Sequence, residues 1–319
     1  MVDTRELLQK HLGDTLVLVK ELGEGGMSRV YLARDRSLGR PVVLKVLAPE
    51  LAGTLNAERF RREMLVAARL QHSHIVPVLT TGETGDAGEF LYYTMPYMEG
   101  ETLRERLSRE GALPVGDVVI ILRDVLDALA YAHRRGVVHR DIKPENILLC
   151  EGGALVADFG IAKAVTDAGA FTAITGTGIV VGTPGYTAPE QAAADPGLDH
   201  RADLYACGAV AYEMLSGAPV FAHHPPHRQF AAHAIEAPIP LGQKRAGVPP
   251  LLSELVMACL EKDPGRRPST ADAVLRDLDG IATARGRIRS SAMAIMKLRP
   301  RWVDAVAAKF VSAFRQPPR

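Results

Sequence analysis

The chain has 319 residues, of which 47% are hydrophobic and 24% charged, so it can bury a sizeable core in one large domain or two lobes. A net charge of +1 gives no argument for nucleic acid as the main partner. The cysteines Cys150, Cys207 and Cys259 are too widely spaced for a disulfide framework or a zinc site. The N-terminus lacks the apolar core of a signal peptide, and no stretch approaches the roughly 18 to 20 apolar residues of a bilayer span. We therefore expect a globular, cytoplasmic protein, with the cytoplasmic part of a longer membrane-anchored protein as the alternative.

The first hundred residues show strand patterns with one helix between them. Residues 15–47 alternate β-prone runs with glycine-rich turns, which predicts three antiparallel strands. Two further strands are predicted around 75–81 and 90–97, with a charged helix over 57–70 before them. The apolar face of this helix has four members: Phe60, Met64, Ala67 and Ala68. Five strands and one helix predict a small lobe.

Helical spacing dominates from Thr102 to about Ile281, for example in the long apolar pattern that leads up to Ala132. This change of pattern predicts a second, larger and mainly helical lobe. The turn at 99–102 lies between the two regions and is the predicted hinge. The chain as a whole therefore has the α+β pattern of a small antiparallel-sheet lobe followed by a helical lobe.

A glycine-rich segment, Gly23 to Val30, lies between the first two predicted strands. Its glycines would let backbone N–H groups approach phosphates without a side chain in the way. A plain glycine-rich hairpin is an equally good interpretation of this segment alone. Lys45 then ends an apolar strand, and a buried ammonium needs a partner. Glu63 on the predicted helix is the candidate partner, although two unrelated surface charges would give the same pattern.

The segment His139 to Asn146, His-Arg-Asp-Ile-Lys-Pro-Glu-Asn, is far more specific. It orders a base, a cation and a metal-coordinating amide within six residues. Asp158-Phe159-Gly160 begins twelve residues after Asn146, behind an apolar run. Phosphoryl transfer from ATP needs a phosphate cradle, a cation, two metal ligands and a proton acceptor, and the sequence offers all of them in order.

This ordered set resembles the bacterial eukaryotic-like serine/threonine protein kinases over roughly residues 13–282. The resemblance implies the bilobal kinase fold, with a small lobe at 13–98, a larger lobe at 101–282 and a tail at 283–319. It implies transfer of the γ-phosphoryl group of ATP, with Mg²⁺, to serine and threonine hydroxyls of proteins. It implies that Asp141 accepts the proton of the substrate hydroxyl and that Lys143 steadies the transferred phosphate. Lys45 would hold the α- and β-phosphates of ATP and pair with Glu63. Asn146 and Asp158 would bind Mg²⁺.

The resemblance also implies a nucleotide pocket, at these positions: Leu22, Gly23, Gly25, Gly26, Val30, Val43, Lys45, Met95, Pro96, Met98 and Leu148. Two of these positions, and Ser28 of the glycine-rich segment, depart from the usual pattern. Ser28 replaces the third loop glycine, as in related bacterial kinases, and Val43 adds two methyl groups where alanine is usual. Pro96 has no N–H but keeps the carbonyl that adenine recognition requires. All three departures are compatible with nucleotide binding.

Gly182 to Glu190 resembles the substrate-docking segment of the family, in which Thr183 would bridge Asp141 and Lys143. The resemblance implies Arg267 as the buried cation that pairs with Glu190. It also implies that Asp203 braces the backbone of the catalytic loop.

Two other classes of function keep the same fold. A pseudokinase scaffold usually loses the lysine, the base or the metal aspartate, whereas all of them are present here. A small-molecule phosphotransferase of related fold would normally lack the segment from Gly182 to Glu190. A metal site formed by His223, His224, His227 and His233 is a further alternative, but these residues lie in a sequence typical of a solvated loop, with no carboxylate cluster beside them in the sequence.

The tail carries nine Lys or Arg and one acid from Arg285 to Arg319, and its apolar residues after Pro300 have helical spacing. Such a segment could pack against the acidic kinase body or lie on an anionic membrane surface. We favour packing, because Trp302 would otherwise be exposed. We further expect autophosphorylation in the loop 166–181, at Thr175 and Thr172 ahead of Thr177, where a phosphate could pair with Arg140, with self-association for phosphorylation in trans.

Overall fold

The computed structural model describes residues 4–25, 28–47, 57–84, 90–160 and 184–284, which form two lobes. The smaller lobe has helix α1 (Thr4–Leu12), helix α2 (Ala57–Ala67) and a five-stranded antiparallel sheet. The strands are β1 (Leu16–Gly25), β2 (Ser28–Asp35), β3 (Arg40–Leu47), β4 (Thr80–Thr84) and β5 (Phe90–Pro96), in the spatial order β1-β2-β3-β5-β4. The predicted antiparallel-sheet lobe is thus confirmed.

The sheet has two different faces because side chains alternate along each strand. Helix α1 covers one face, and Leu8 is fully buried in the apolar cluster beneath it. On the other face, Lys45 lies opposite both Val30 of β2 and Tyr93 of β5. Lys45 reaches Asp158 of the larger lobe, so this second face looks into the cleft between the lobes. A slip of one residue in either register would move Lys45 to the α1 side.

The predicted strand at 75–81 is wrong in its position. Ile75 makes an isolated bridge with Val156 of the larger lobe, and β4 begins only at Thr80. Pro77 has no amide hydrogen to give to a ladder, which explains why the run before β4 does not pair as a strand.

Both helices of the small lobe add to or correct the prediction. Helix α1 precedes the predicted start of the lobe at residue 13, and packs on β1 and β4. Helix α2 buries Phe60, Met64 and Ala67, as predicted, but Ala68 lies beyond its end and is exposed. The buried face is therefore one residue narrower than the spacing indicated.

The larger lobe is mainly helical and carries a small sheet on the side that faces the cleft. That sheet consists of β6 (Gly100–Thr102), β7 (Ile147–Cys150) and β8 (Gly153–Val156). The helices are α3 (Leu103–Glu110), α4 (Val115–His133), α5 (Pro189–Ala192), α6 (Arg201–Ser216), α7 (Pro226–Ile235), α8 (Leu241–Lys244), α9 (Pro250–Cys259) and α10 (Ala271–Ala284). Short 3₁₀ turns occur at Pro144–Asn146, Pro184–Tyr186 and Pro264–Arg266.

Helix α6 is the central element of this lobe. Every residue from Ala202 to Leu215 is buried, and the helix contacts α4, α8 and α9. A helix that is buried on all sides should be apolar. The acids Asp203 and Glu213 are therefore expensive at these positions and require partners, which the active-site region supplies.

The hinge predicted at 99–102 coincides with β6 and with the start of α3. Thr102 caps α3, since its Oγ1 accepts from the amide of Glu105 at 3.1 Å and its own amide donates to Glu105 Oε2 at 2.7 Å. This reciprocal cap fixes where the helical lobe begins. The three cysteines are buried free thiols. Within the described ranges, no helix is both long and apolar enough to cross a bilayer.

Candidate active site

Asp141, Lys143 and Asn146 converge in the catalytic loop, which comprises residues 139–146. Lys143 Nζ lies 2.7 Å from Asp141 Oδ2. The amide nitrogen of Asn146 donates to the backbone oxygen of Asp141 at 2.8 Å and to its Oδ2 at 3.0 Å. The Asp141 side chain keeps 29% of its surface exposed. The loop therefore holds an oriented carboxylate that a hydroxyl group from solution can reach.

Asp203 of α6 holds the backbone of this loop in place. Its carboxylate accepts hydrogen bonds from the amides of His139 at 2.8 Å and Arg140 at 2.7 Å, and from His133 Nε2 at 2.8 Å. Arg140 has a positive φ of 68°, a strained conformation for a residue with a side chain, which these bonds stabilise. The predicted bracing role of Asp203 is confirmed.

Asp203 stays charged although it is fully buried. Burial acts to raise its pKa, but the hydrogen bond and charge of His133 and the amide of His139 outweigh burial, and the pKa lies below its usual value. His139 is likewise buried, with Nε2 2.7 Å from the Ala157 carbonyl and Nδ1 accepting from the amide of Asp141 at 3.2 Å. These partners require the neutral ring with its hydrogen on Nε2.

Asp158 meets the sheet of the small lobe. Its Oδ2 lies 2.5 Å from Lys45 Nζ, and its Oδ1 accepts a hydrogen bond from the Tyr93 hydroxyl. Burial acts to raise the pKa of Asp158, but the charge and hydrogen bond of Lys45 and the hydrogen bond of Tyr93 lower it on balance. Asp158 also has a positive φ of 69°. Phe159 beside it packs edge-on against His139 at 4.5 Å, which anchors the segment in the core of the larger lobe.

The predicted pairing of Lys45 with Glu63 stays a prediction, because Lys45 contacts Asp158 in this structure. Glu63 is buried, with 8% of its surface exposed. Helix α2 nevertheless lies directly against the aspartate segment, since a Cβ atom on Gly160 would be 3.5 Å from the Glu63 carbonyl oxygen and 3.6 Å from Ala67 Cβ. Glu63 therefore lies on a helix that is close to the segment from Asp158 to Gly160.

The predicted nucleotide positions lie on the strands around the cleft. Val43 of β3 pairs with Met95 of β5, two residues from the pair of Lys45 and Tyr93 on each strand. Because side chains alternate along a strand, all four lie on the face that lines the cleft. The other described positions lie on β1 (Leu22, Gly23, Gly25), β2 (Val30), the end of β5 and the residues after it (Pro96, Met98), and β7 (Leu148). Gly26 lies outside the described residues. Nucleotide contacts at these positions remain predictions.

The docking segment is held by a buried ion pair. Arg267 donates to the two carboxylate oxygens of Glu190 at 2.5 and 2.7 Å, and it also donates to the carbonyls of Glu261 and Arg201 at 2.8 and 2.9 Å. The predicted pairing is confirmed. Gln191 Nε2 donates to the Arg140 carbonyl at 2.8 Å, which ties α5 to the catalytic loop. Gly182 and Thr183, and with them the proposed bridge to Asp141, lie outside the described residues.

A second network was not predicted. Arg104 of α3 contacts Glu145 at 2.7 Å, Glu213 at 2.7 Å and the hydroxyl of Tyr186, which in turn donates to Glu213. The network joins the catalytic loop, the docking segment and α6. The available signal was Glu213 itself, a carboxylate in an otherwise apolar helix that had to be neutralised. Its partners depend on tertiary contacts that spacing does not encode.

The histidine-rich stretch divides into two environments. His223 is exposed, but His224 Nε2 lies 2.8 Å from Glu236 Oε2, and the ligand-capable atoms of these three residues lie within 4.8 Å of one another. The sequence showed no carboxylate cluster beside these histidines, but the chain at the end of α7 brings the single carboxylate of Glu236 back to them. The triad lies at the surface, as the solvated-loop interpretation requires.

His233 is fully buried, which the solvated-loop interpretation missed. Its Nδ1 lies 2.8 Å from the Tyr205 hydroxyl, and Lys262 Nζ donates to its carbonyl at 2.7 Å. Helix α7, which carries His233, packs on the turn Pro184–Tyr186 of the docking segment. Burial and the nearby charge of Lys262 lower the pKa of His233 from 6.5 to about 4. The ring is therefore neutral at pH 7.

We predict that the docking region becomes less stable as pH falls from 6.5 towards 4. The unfolded chain takes up a proton at His233 near pH 6.5, whereas the folded chain resists it until about pH 4, so folding stability is lost through this window. The His233→Gln variant should lose stability less steeply there in chemical denaturation, with the exposed His223→Gln as the control. An NMR titration of the His233 ring with a midpoint above 6 would contradict the prediction.

Comparison with known proteins agrees with this geometry. A family model for the protein kinase domain matches residues 16–277. The serine/threonine-protein kinase PknB of Mycobacterium leprae is 42% identical over 271 residues, or 84% of this chain and 43% of that protein. Serine/threonine-protein kinase pkn3 of Myxococcus xanthus is 38% identical over 297 residues, or 91% of this chain and 54% of that protein. The chain thus spans about half the length, or less, of these curated relatives.

Solved structures give the same result. The crystal structure of the Mycobacterium tuberculosis PknI kinase domain matches with a TM-score of 0.66 at 30% identity, over 84% of this chain and 96% of that domain. The fold, the catalytic loop and the family model therefore agree over the same part of the chain. The chain belongs to the protein kinase family, among the bacterial eukaryotic-like serine/threonine kinases.

Proposed function

We propose that the chain transfers the γ-phosphoryl group of ATP to serine and threonine hydroxyls of proteins. The observation that carries this proposal is the Asp141 carboxylate, oriented by Lys143 and Asn146 and still open to solvent. The names of the relatives, which are serine/threonine-protein kinases, support the choice of acceptor. Lys143 further supports it, because a lysine two residues after the base is typical of the serine/threonine branch.

In this mechanism, Asp141 accepts the proton of the substrate hydroxyl as the hydroxyl oxygen attacks. Lys143, 2.7 Å from Asp141, neutralises charge that builds up on the transferred group. Lys45 holds the α- and β-phosphates, which requires it to share or release its contact with Asp158. Glu63 on the adjacent α2 is then the partner that would hold the lysine in place. The loop needs no rearrangement, because Asp203 already fixes its backbone.

Asn146 and Asp158 would hold Mg²⁺, and their chemistry fits that ion. The side-chain nitrogen of Asn146 donates hydrogen bonds to Asp141, which leaves the side-chain oxygen of Asn146 available as a ligand for the ion. The carboxylate of Asp158 supplies hard oxygen ligands of the kind that Mg²⁺ prefers, and 9% of its side chain is exposed. When bound, the ion neutralises charge on the β- and γ-phosphates.

A pseudokinase scaffold and a small-molecule phosphotransferase are the competing functions. The scaffold interpretation is disfavoured because Lys45, Asp141, Asn146 and Asp158 are all present and hydrogen-bonded or ion-paired in the cleft. The small-molecule interpretation is disfavoured by the docking segment that Glu190 and Arg267 anchor. Incubation of the pure chain with labelled ATP and a general protein substrate separates the three, since we expect label on protein serine and threonine.

We predict that Asp141→Asn lowers the rate of phosphoryl transfer by about 10²- to 10⁴-fold, because the proton acceptor is lost. Nucleotide affinity should stay within about twofold of the wild type, since Lys45, Asn146 and Asp158 remain. The matched control is Asp277→Asn, on the exposed surface of α10. Steady-state rates and nucleotide titrations measure both quantities. Transfer at the wild-type rate in Asp141→Asn would show that the base is assigned wrongly.

We further propose that phosphorylation at Thr175 or Thr172 raises activity. Both residues lie outside the described residues, but Arg140, their proposed partner, is fixed by Asp203 and Gln191 next to the base. A phosphate carries about −1.5 to −2 charges and would pair with such a guanidinium. We expect mass spectrometry of active protein to find phosphate on one of them, and the Thr172→Ala/Thr175→Ala double variant to be several-fold less active. Full activity without any phosphate would contradict this.

The chain is proposed to act in the cytoplasm, by itself or as the cytoplasmic part of a longer membrane-anchored protein, with self-association for phosphorylation in trans. The tail at 283–319, almost all of which lies outside the described residues, is proposed to pack on the kinase body, with contact to an anionic membrane surface as the alternative. Deletion of 285–319 separates the two. Packing predicts a lower melting temperature with unchanged lipid binding, and membrane contact predicts the reverse. A truncated chain that equals the full chain in both assays would exclude both roles.

A further inference from the structure

Tyr93 has a place in the site that the family pattern does not require. It is 1% exposed, and its hydroxyl donates to Asp158 Oδ1 while Lys45 contacts Oδ2. One carboxylate is thus held on both oxygens by two neighbouring strands. Lys45 and Tyr93 are direct cross-strand partners in the β3–β5 register, so both donors reach the carboxylate from the same face of the sheet.

A buried tyrosine hydroxyl needs a hydrogen-bond partner, and many such partners are structural. The partner here is the carboxylate proposed to bind Mg²⁺. Residues that hydrogen-bond to a metal-binding side chain fix its orientation, and their loss typically weakens the metal site. Asp158 also has a positive φ, a strained backbone conformation for a residue with a side chain, which its surroundings must stabilise. The orientation of its carboxylate therefore depends on its side-chain contacts.

We propose that Tyr93 is a positioning residue that orients Asp158 for Mg²⁺, an inference that rests on the proposed function. A carboxylate offers about four lone-pair sites on its two oxygens. The contacts of Tyr93 and Lys45 use one site on each oxygen and leave one on each for the ion. When Lys45 turns to the phosphates of a bound nucleotide, the neutral Tyr93 hydroxyl has no reason to follow. Tyr93 then remains as the side-chain donor that keeps Asp158 in place.

The test is Tyr93→Phe in the full chain, which removes one hydroxyl and keeps the ring. Binding of a non-hydrolysable ATP analogue is measured by calorimetry over a Mg²⁺ titration. We expect the Mg²⁺ concentration for half-maximal enhancement to rise about 10- to 100-fold. Affinity for the analogue without Mg²⁺ should change less than twofold. The control is Tyr92→Phe, on the same strand but on the opposite face, which should behave as the wild type.

A double-mutant cycle separates positioning from general packing. In the Asp158→Asn background, Tyr93→Phe should have no further effect on Mg²⁺ dependence. Equal Mg²⁺ dependence in Tyr93→Phe and the wild type would overturn the proposal. Tighter Mg²⁺ binding by Tyr93→Phe would also overturn it, because the hydroxyl would then compete with the ion.

If Tyr93→Phe does not fold, a crystal structure of the wild type with Mg²⁺ and the analogue decides. The Tyr93 hydroxyl should remain within about 3 Å of the metal-bound Asp158, and its departure would refute the inference. Failure of the proposed function gives a different result. A wild-type chain that binds Mg²⁺ and the analogue but transfers no phosphate would exclude the kinase activity, while the effect of Tyr93→Phe on binding would still stand or fall by itself.

Discussion

The buried carboxylate of Asp203 accepts three hydrogen bonds, and the geometry of the candidate active site follows from them. Two come from successive amides of the catalytic loop, at His139 and Arg140, and these amides could not both point at one carboxylate in a regular strand. The loop therefore takes the positive φ at Arg140. Because α6 is buried along nearly its whole length, Asp203 transmits the rigidity of the core to the loop that carries Asp141.

Several other buried or half-buried ion pairs also fix the geometry of the site. Arg267 with Glu190, and Arg104 with Glu213, join segments that lie far apart in the sequence. A buried ion pair adds little net stability, because desolvation offsets most of the attraction, but removal of one partner costs about 3 to 5 kcal/mol. The pairs therefore specify one arrangement of the docking segment and the catalytic loop over the alternatives. Arg106 and Asp117 form a further buried pair between α3 and α4.

The sequence predicted the parts of the site that are local and missed those that depend on tertiary contacts. Asp141, Lys143 and Asn146 lie within one turn of chain, so their spacing alone nearly determined that they meet. The contact of Tyr93 with Asp158 joins residues 65 positions apart and depends on the sheet register, which hydrophobic alternation does not specify to one residue.

The same limit explains errors in the fold. The pattern of apolar residues predicted a strand at 75–81. Pro77 and the bridge from Ile75 to Val156 keep the first part of this segment out of the sheet, so β4 begins at Thr80. His233 resembled its exposed neighbours in sequence, yet α7 turns it towards Tyr205 in the core. In both cases the residue types were informative, and the missing information was which distant backbone would lie beside them.

The bridge between Ile75 and Val156 has a mechanical consequence. Through the amide of Val76 and the carbonyl of His74, two hydrogen bonds of 2.9 Å each fasten the chain before β4 to β8 of the larger lobe. The second connection is the chain itself, which passes from the smaller to the larger lobe between β5 and β6. The hydrogen-bonded attachment and the chain connection together define an axis. The lobes can rotate about this axis, but they resist translation relative to each other. Asp158 follows Val156 by two residues, so its contact with Lys45 joins the lobes next to this attachment rather than far from it.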